Sequence, residues 1–121
     1  KKMKEFVLIF RTNANPGFKP SEEQIQQMMT SWMAWMAGIE AKGQMANKGT
    51  RLGISNAKVV MPGNVITNGP FTEVKEFING FMVVKTNSID EAVKIANECP
   101  MVKGGGGSVE VRTAVASDDN S

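Results

Sequence analysis

The sequence of 121 residues contains no histidine and only one cysteine, Cys99. Histidine is the commonest metal ligand and the usual general base near neutral pH. Its absence excludes a zinc site and any Cys-His or Ser-His catalytic pair, so we expect neither a metal nor a cofactor. A lone cysteine cannot form an internal disulfide, which favours a reducing, cytoplasmic setting.

Long apolar runs and an excess of one charge are also missing. No run approaches the roughly 18 apolar residues that cross a bilayer, and no signal-peptide pattern opens the sequence. The 14 basic and 12 acidic residues leave a net charge of +2, too small for a concentrated phosphate-binding face. We therefore expect no membrane and no nucleic-acid partner. The 41% of hydrophobic residues is typical of a single soluble globular domain.

Apolar residues recur at every second position in some segments and at helical spacing in others, which predicts both strands and helices. Capping boxes at Ser21 and Ser88 begin two helices, and Gly43 and Pro100 end them. Pro62-Gly63 predicts a type II turn, and the four glycines at 104–107 predict a flexible connector rather than a phosphate loop. The predicted strands are 3–11, a short strand at 44–46 before a loop at 47–50, 57–61, 64–67, 77–86 and 108–115.

The first helix carries an apolar stripe that we interpret as core packing. Its members are Ile25, Met28 or Met29, Trp32, Met36 and Ile39. Trp35 lies off this stripe and is a candidate for a cleft or an interface. In the second helix, Ala92, Val93 and Ala96 are predicted to face inward, and Cys99 is predicted to be a small buried residue.

The order of elements predicts an α+β fold, a ferredoxin-like β-α-β-β-α-β domain with an inserted hairpin. The strands at 3–11 and 77–86 are apolar on both faces and belong in the middle of its sheet. Two helices cover one face only, and an open apolar face is rare in monomers. We therefore expect a homodimer; a partly exposed apolar face is the alternative. Glu110 and Arg112 would then point into the cleft between the subunits.

The stretch 67–76, Thr-Asn-Gly-Pro-Phe-Thr-Glu-Val-Lys-Glu, resembles the signature of the YCII-related, or DGPF, family: Asp-Gly-Pro-Phe, a short spacer, then Lys-Glu. Further matching motifs are Trp32, Trp35, Gly43, Gly80-Phe81, Asp90-Glu91-Ala92, Cys99-Pro100 and Val109-Glu110-Val111-Arg112. The resemblance implies a YCII-related domain over 1–115, with 116–121 as a disordered tail. It also implies a dimeric α+β barrel, in which two ferredoxin-like sheets pack face to face as in muconolactone isomerase.

Two positions depart from the family pattern. Asn68 stands where the family has aspartate, and Thr113 stands where a proline often follows the terminal arginine. The resemblance implies a histidine–aspartate pair in the cleft, and this chain has neither partner. Asparagine can shape a turn and donate a hydrogen bond, but it cannot act as a base near pH 7. Whether the chain is an enzyme is therefore left open.

The signature turn has two interpretations. It is either a structural turn or part of the rim of the dimer cleft, with Glu73 and Lys75 as candidate catalytic groups if burial shifts the carboxyl pKa. Glu110 and Arg112 either bind an anionic ligand or form a salt bridge between subunits. The candidate ligand-binding residues are Asn68, Gly69, Pro70, Phe71, Glu76, Glu110, Arg112 and Trp35.

Three functions remain open. The first is a homodimer with a small-molecule cleft and no catalysis. The second is a lyase- or isomerase-like enzyme acting on a small anionic substrate. The third is a regulatory module that binds a transcription-related protein, which the resemblance alone suggests.

Overall fold

The computed structural model describes residues 3–13, 20–53, 57–68 and 76–115. They form six strands and three helices. In chain order these are β1 (Lys4–Asn13), α1 (Glu22–Ala41), β2 (Met45–Arg51), β3 (Lys58–Met61), β4 (Val65–Asn68), β5 (Glu76–Thr86), α2 (Ile89–Asn97), α3 (Pro100–Lys103) and β6 (Gly107–Thr113). The mixed α+β class is confirmed. The tail at 116–121 lies outside the described residues.

Four strands form one antiparallel sheet in the order β2-β5-β1-β6, and β3 and β4 form a separate hairpin. The two strands with apolar residues on both faces, β1 and β5, are the central pair, as predicted. Their register pairs Leu8 with Met82 and Ile9 with Phe81. Each strand therefore presents one apolar row to either face of the sheet.

One face of the sheet carries the hydrophobic core. Leu8 and Val84 have no exposed surface, and Phe6, Phe10 and Met82 are at most 3% exposed. The helices cover this face with Ile39, Ala92 and Ala96. The opposite face, which we call the open face, carries Val7, Ile9, Phe81 and Val83, which are only partly buried. All three described helices share the core on the first face.

Both predicted helix caps are present. The Ser21 hydroxyl accepts from the Gln24 backbone N–H, and the Gln24 side chain accepts from the Ser21 N–H. Ser88 Oγ accepts from the Glu91 N–H, and Gly43 follows α1 with φ of +69°. None of the described helices is long and apolar enough to cross a membrane.

The inward face of α2 was predicted wrongly at one position. Ala92 and Ala96 are buried, but Val93 is 48% exposed. Positions 92 and 96 are four residues apart and share a face, whereas 93 is turned about 100° away from 92. Pro100 ends α2 as predicted but also begins the short helix α3.

The predicted loop at 47–50 is part of strand β2, which continues to Arg51. Two register shifts against β5 interrupt this strand, between Met45 and Asn47 and between Asn47 and Thr50. Gly49 has φ of +67°, and a Cβ there would collide with the Phe81 carbonyl oxygen. Glycine at position 49 therefore permits a β-bulge. Because the bulge interrupts the alternation of side chains, the sequence pattern predicted a loop here.

The predicted hairpin is present as β3 and β4. Gly63 follows Pro62 with φ of +82°, as position i+2 of a type II turn requires. Asn64 is also left-handed, with φ of +63°, and Met61 pairs with Val65. Val60 and Ile66 are 74% and 61% exposed.

Candidate ligand-binding site

Most of the predicted signature turn lies outside the residues that the structure describes. Gly69, Pro70, Phe71, Glu73 and Lys75 lie outside the described residues. The backbones of Asn68 and Glu76 end β4 and begin β5, while their side chains are outside the description. Their proposed roles therefore stay predictions.

Glu110 and Arg112 lie on the open face, joined by Arg11 of β1. Glu110 pairs with Ile9, and Arg112 pairs with Val7 across β1 and β6. One carboxylate oxygen, Oε1, accepts two bonds from Arg11, at 3.0 and 3.3 Å. The other, Oε2, accepts from Arg112 at 3.1 Å. We call these three residues the open-face cluster.

Hydrogen bonds from Arg112 and from Arg11 hold the pKa of Glu110 below its ordinary value. The carboxylate is thus charged at neutral pH and cannot donate a proton. Two guanidinium groups around one carboxylate leave a net charge of +1, and the Arg112 side chain is 68% exposed. The open-face cluster can therefore attract an anion, but Glu110 is unsuited to general acid catalysis.

Trp35 lies on the helix-covered face, where its ring makes edge contacts with Trp32 and Phe10. Its indole N–H donates to the Ile95 carbonyl oxygen at 3.0 Å. Both contacts connect α1 with the core. A structural role accounts for this placement, and ligand binding by Trp35 stays a prediction.

Sequence reasoning missed an apolar concavity, a groove of about 580 Å³ between α1 and the sheet. We call it the methionine groove. Its α1 wall consists of Ile25, Met28, Met29, Trp32, Met33 and Met36. Met28, Met29 and Met33 are 58%, 57% and 67% exposed. The first half of the predicted core stripe therefore borders a groove and not a packed interior.

The other wall comes from the edge of the core. Phe10, Met82 and Met101 supply its apolar atoms, and Gly80 of β5 also lines it. Methionine is unbranched and polarisable, so a methionine-lined surface adapts to apolar molecules of different shape. Roughly 300 to 1,000 Å³ is the usual size of a small-molecule pocket, so the volume fits a ligand.

Polar groups occupy the sheet side of the groove. Lys48 and Arg51 of β2 and Asn79 of β5 line it. The Lys48 ammonium is 3.1 Å from Glu40. Arg51 is exposed, and its guanidinium group makes no hydrogen bond or ion pair with the residues that the structure describes. Arg51 therefore offers an unneutralised positive charge at the groove.

Asn79 is placed by a β-bulge. Between β1 and β5 the register passes from Phe10–Gly80 to Arg11–Ile78, so Asn79 has no partner on β1. Its backbone carbonyl accepts from the Leu52 N–H at 2.8 Å. Its Oδ1 is buried and has no hydrogen-bond partner among the residues that the structure describes. Bulges commonly redirect a side chain beside a functional site, and an unpaired buried acceptor is costly.

The remaining reactive group is Cys99, which is fully buried in the core as predicted. Burial raises the pKa of its thiol, which disfavours the nucleophilic thiolate. Among the described residues, no cluster of His, Cys, Asp and Glu side chains could hold a metal ion. The described side chains thus offer binding groups but no activated nucleophile.

The described residues thus form a small α+β protein with a ligand-sized concavity. Its antiparallel sheet has helices over one face, and the apolar groove lies beside the first helix. The YCII-related domain model matches residues 6–115. The chain belongs to the YCII-related family, as its sequence signature indicated.

Comparison with curated proteins yields no match. Among solved structures, the chain is similar to 5-chloro-2-hydroxyhydroquinone dehydrochlorinase from Burkholderia phenoliruptrix AC1100, in complex with 2,5-dihydroxybenzoquinone. The two share 19% sequence identity with a TM-score of 0.47, over 95% of this chain and 99% of that chain. Similarity of this extent carries no information about a shared reaction.

Proposed function

We propose that this YCII-related protein binds a small apolar molecule in the methionine groove and acts as a homodimer without catalysing a reaction of its own. The observation that carries the proposal is the groove itself, a ligand-sized cavity of about 580 Å³. Its methionines at 28, 29 and 33 are each more than half exposed and so are not part of the core that the described residues form. An apolar ligand would remove this surface from water at roughly 25 cal/mol per Å².

Binding of Nile red, a neutral apolar dye, tests the groove directly. We expect its fluorescence to rise with the full chain and its affinity to fall about tenfold in M29Q/M33Q, because two apolar contacts become polar. The matched control is M61Q, since Met61 lies in the β3–β4 hairpin and does not line the groove. Equal dye binding by the two variants would contradict the proposal.

The open face supports the homodimer. Val7, Ile9, Phe81 and Val83 form an apolar row on the central strands, opposite the helices. A second sheet packed on this row would give the ferredoxin-like, dimeric α+β barrel arrangement that the family membership suggests. The open-face cluster would then lie at the edge of the interface, in position for an anionic ligand or a partner subunit.

Sedimentation of valine-to-lysine variants tests this dimer. V83K puts a charge into the apolar row and should yield a monomer at micromolar concentration. V93K adds the same charge on the outer face of α2, where Val93 is 48% exposed, and should remain a dimer. If the wild-type chain itself sediments as a monomer, the proposed homodimer is contradicted.

The other functions stay predictions. The lyase- or isomerase-like alternative depends on Glu73 and Lys75, which lie outside the described residues. No described contact favours a transcription-related partner. Cytoplasmic residence rests on the single cysteine.

A further inference from the structure

We infer that the ligand of the methionine groove is an apolar organic acid that carries a hydroxyl group near its carboxylate. The inference rests on the proposed function and specifies its ligand. Two polar groups beside the groove carry it: the buried, unpaired Oδ1 of Asn79 and the unneutralised guanidinium of Arg51.

The carboxylate is assigned to Arg51. A guanidinium group donates two parallel hydrogen bonds that match the geometry of a carboxylate. Lys48, the other cation lining the groove, is already paired with Glu40 at 3.1 Å. Arg11 and Arg112 are paired with Glu110 on the open face. Arg51 alone among these cations lacks an acidic partner in the described chain.

The hydroxyl is assigned to Asn79. A carbonyl oxygen accepts hydrogen bonds, so a ligand that satisfies Oδ1 must bring a donor. Arg51 pairs with Gly80, the residue after Asn79. The carboxylate site and the donor site therefore belong to neighbouring positions of β2 and β5, and we assign them to two groups at one end of a small molecule.

The apolar body is assigned to the groove wall of α1. Met29, Trp32 and Met33 line the groove there, and no charged α1 side chain lines it. A ligand of this kind is amphiphilic: its polar end lies against the sheet, and its hydrocarbon part lies under the helix. A purely polar metabolite would leave the exposed methionines without a contact.

Three ten-carbon probes test the assignment by displacement of Nile red from the full chain: 3-hydroxydecanoate, decanoate and 1-decanol. We expect 3-hydroxydecanoate to bind about tenfold more tightly than decanoate, because one hydrogen bond to a buried acceptor accounts for roughly that factor. Decanoate should bind more tightly than decanol by about two- to fivefold, the contribution of an exposed ion pair.

Two variants separate the contributions. N79L should abolish the preference for 3-hydroxydecanoate over decanoate, and R51Q should abolish the preference for decanoate over decanol. Circular dichroism checks that each variant folds. If N79L does not fold, N79D replaces it: its added negative charge should weaken both acids and spare decanol.

The outcomes distinguish the two proposals. Equal binding of the three probes, or preferences that survive in N79L and R51Q, would overturn the inference and leave the groove as a general apolar site. Displacement by none of the probes, with Nile red bound, would overturn it equally. Failure of Nile red itself to bind would refute the proposed function, and the inference with it.

Discussion

The two halves of helix α1 carry the same kind of sequence but have different surroundings. In the second half, Ile39 is 5% exposed and Trp35 donates a hydrogen bond to the carbonyl oxygen of Ile95 on α2. In the first half, Ile25 is 46% exposed, and Met28 and Met29 are more exposed still. An apolar stripe at helical spacing thus predicts a face that must be covered, but not what covers it.

The largest effect expected concerns the two isoleucines. I39A removes buried methyl groups and should lower the free energy of unfolding by about 2–4 kcal/mol. I25A removes the same atoms from a half-exposed position and should cost less than about 1 kcal/mol. Urea unfolding of both variants measures the difference. Equal losses would mean that the two halves of α1 are packed alike and that the groove is closed.

Trp32 and Trp35 differ in the same way, because Trp32 lines the groove and Trp35 packs towards α2. W35F removes the hydrogen bond from the indole N–H to the Ile95 carbonyl oxygen, which keeps its bond from the Glu98 N–H, so it should cost about 0.5–1.5 kcal/mol. Trp32 makes ring contacts with Phe10 and Trp35, and its N–H donates no hydrogen bond within the described part of the chain. W32F should therefore cost less than W35F. The reverse order in thermal unfolding would contradict the assigned roles.

The exposed methionines should matter little for stability. M29Q/M33Q is expected to change the free energy of unfolding by less than about 0.5 kcal/mol, since each side chain is more than half exposed. Chemical denaturation of the same protein used for dye binding measures this. A loss above about 2 kcal/mol would mean that the first half of α1 is part of the core.

A pH titration contrasts the cations of the two faces. Arg51 at the groove has no acidic partner within the described ranges, whereas Arg11 and Arg112 share Glu110. Because the pKa of Glu110 is lowered in the folded chain, its contribution to stability is complete above the ordinary value of 4.5. It is lost as the pH falls through the lower folded pKa. E110Q should thus be less stable than wild type at pH 7, and this difference should shrink below pH 4.5.

Chemical denaturation of wild type and E110Q at pH 7 and at pH 3 measures how the stability difference changes. R112Q, which removes one of the two arginines, should also make stability depend less on pH. If the stability difference between wild type and E110Q is the same at both pH values, the hydrogen bonds from Arg11 and Arg112 do not stabilise the charged form of Glu110. The effect should be the smallest of the set, since all three side chains are partly exposed and screened by water.

Much of the fold could be predicted from residue patterns. Because β1 and β5 have apolar residues on both faces, they were predicted to lie at the centre of the sheet. The capping-box spacing of Ser21 and Gln24 predicted the start of α1. Those signals are local. The strand through 47–50 was missed because Gly49 makes a bulge whose partner, Phe81, lies 32 residues away.

The binding site was less predictable. The outward placement of Glu110 and Arg112 followed from alternation in β6, but their partner Arg11 comes from a distant strand. Met29 lies within a stripe that was predicted to be core, and only the position of α1 over the sheet makes it part of a groove wall. The concentration of methionines in α1 was the one available signal, because methionine is common at adaptable binding surfaces.

The most direct test of a binding groove beside a packed core is the fluorescence of the two single-tryptophan proteins. W35F retains Trp32, which lines the groove, and W32F retains Trp35, which does not. On titration with 3-hydroxydecanoate, the emission of Trp32 should shift to the blue as the ligand displaces water, while that of Trp35 should barely change. A shift confined to Trp35, or none in either protein, would contradict the account.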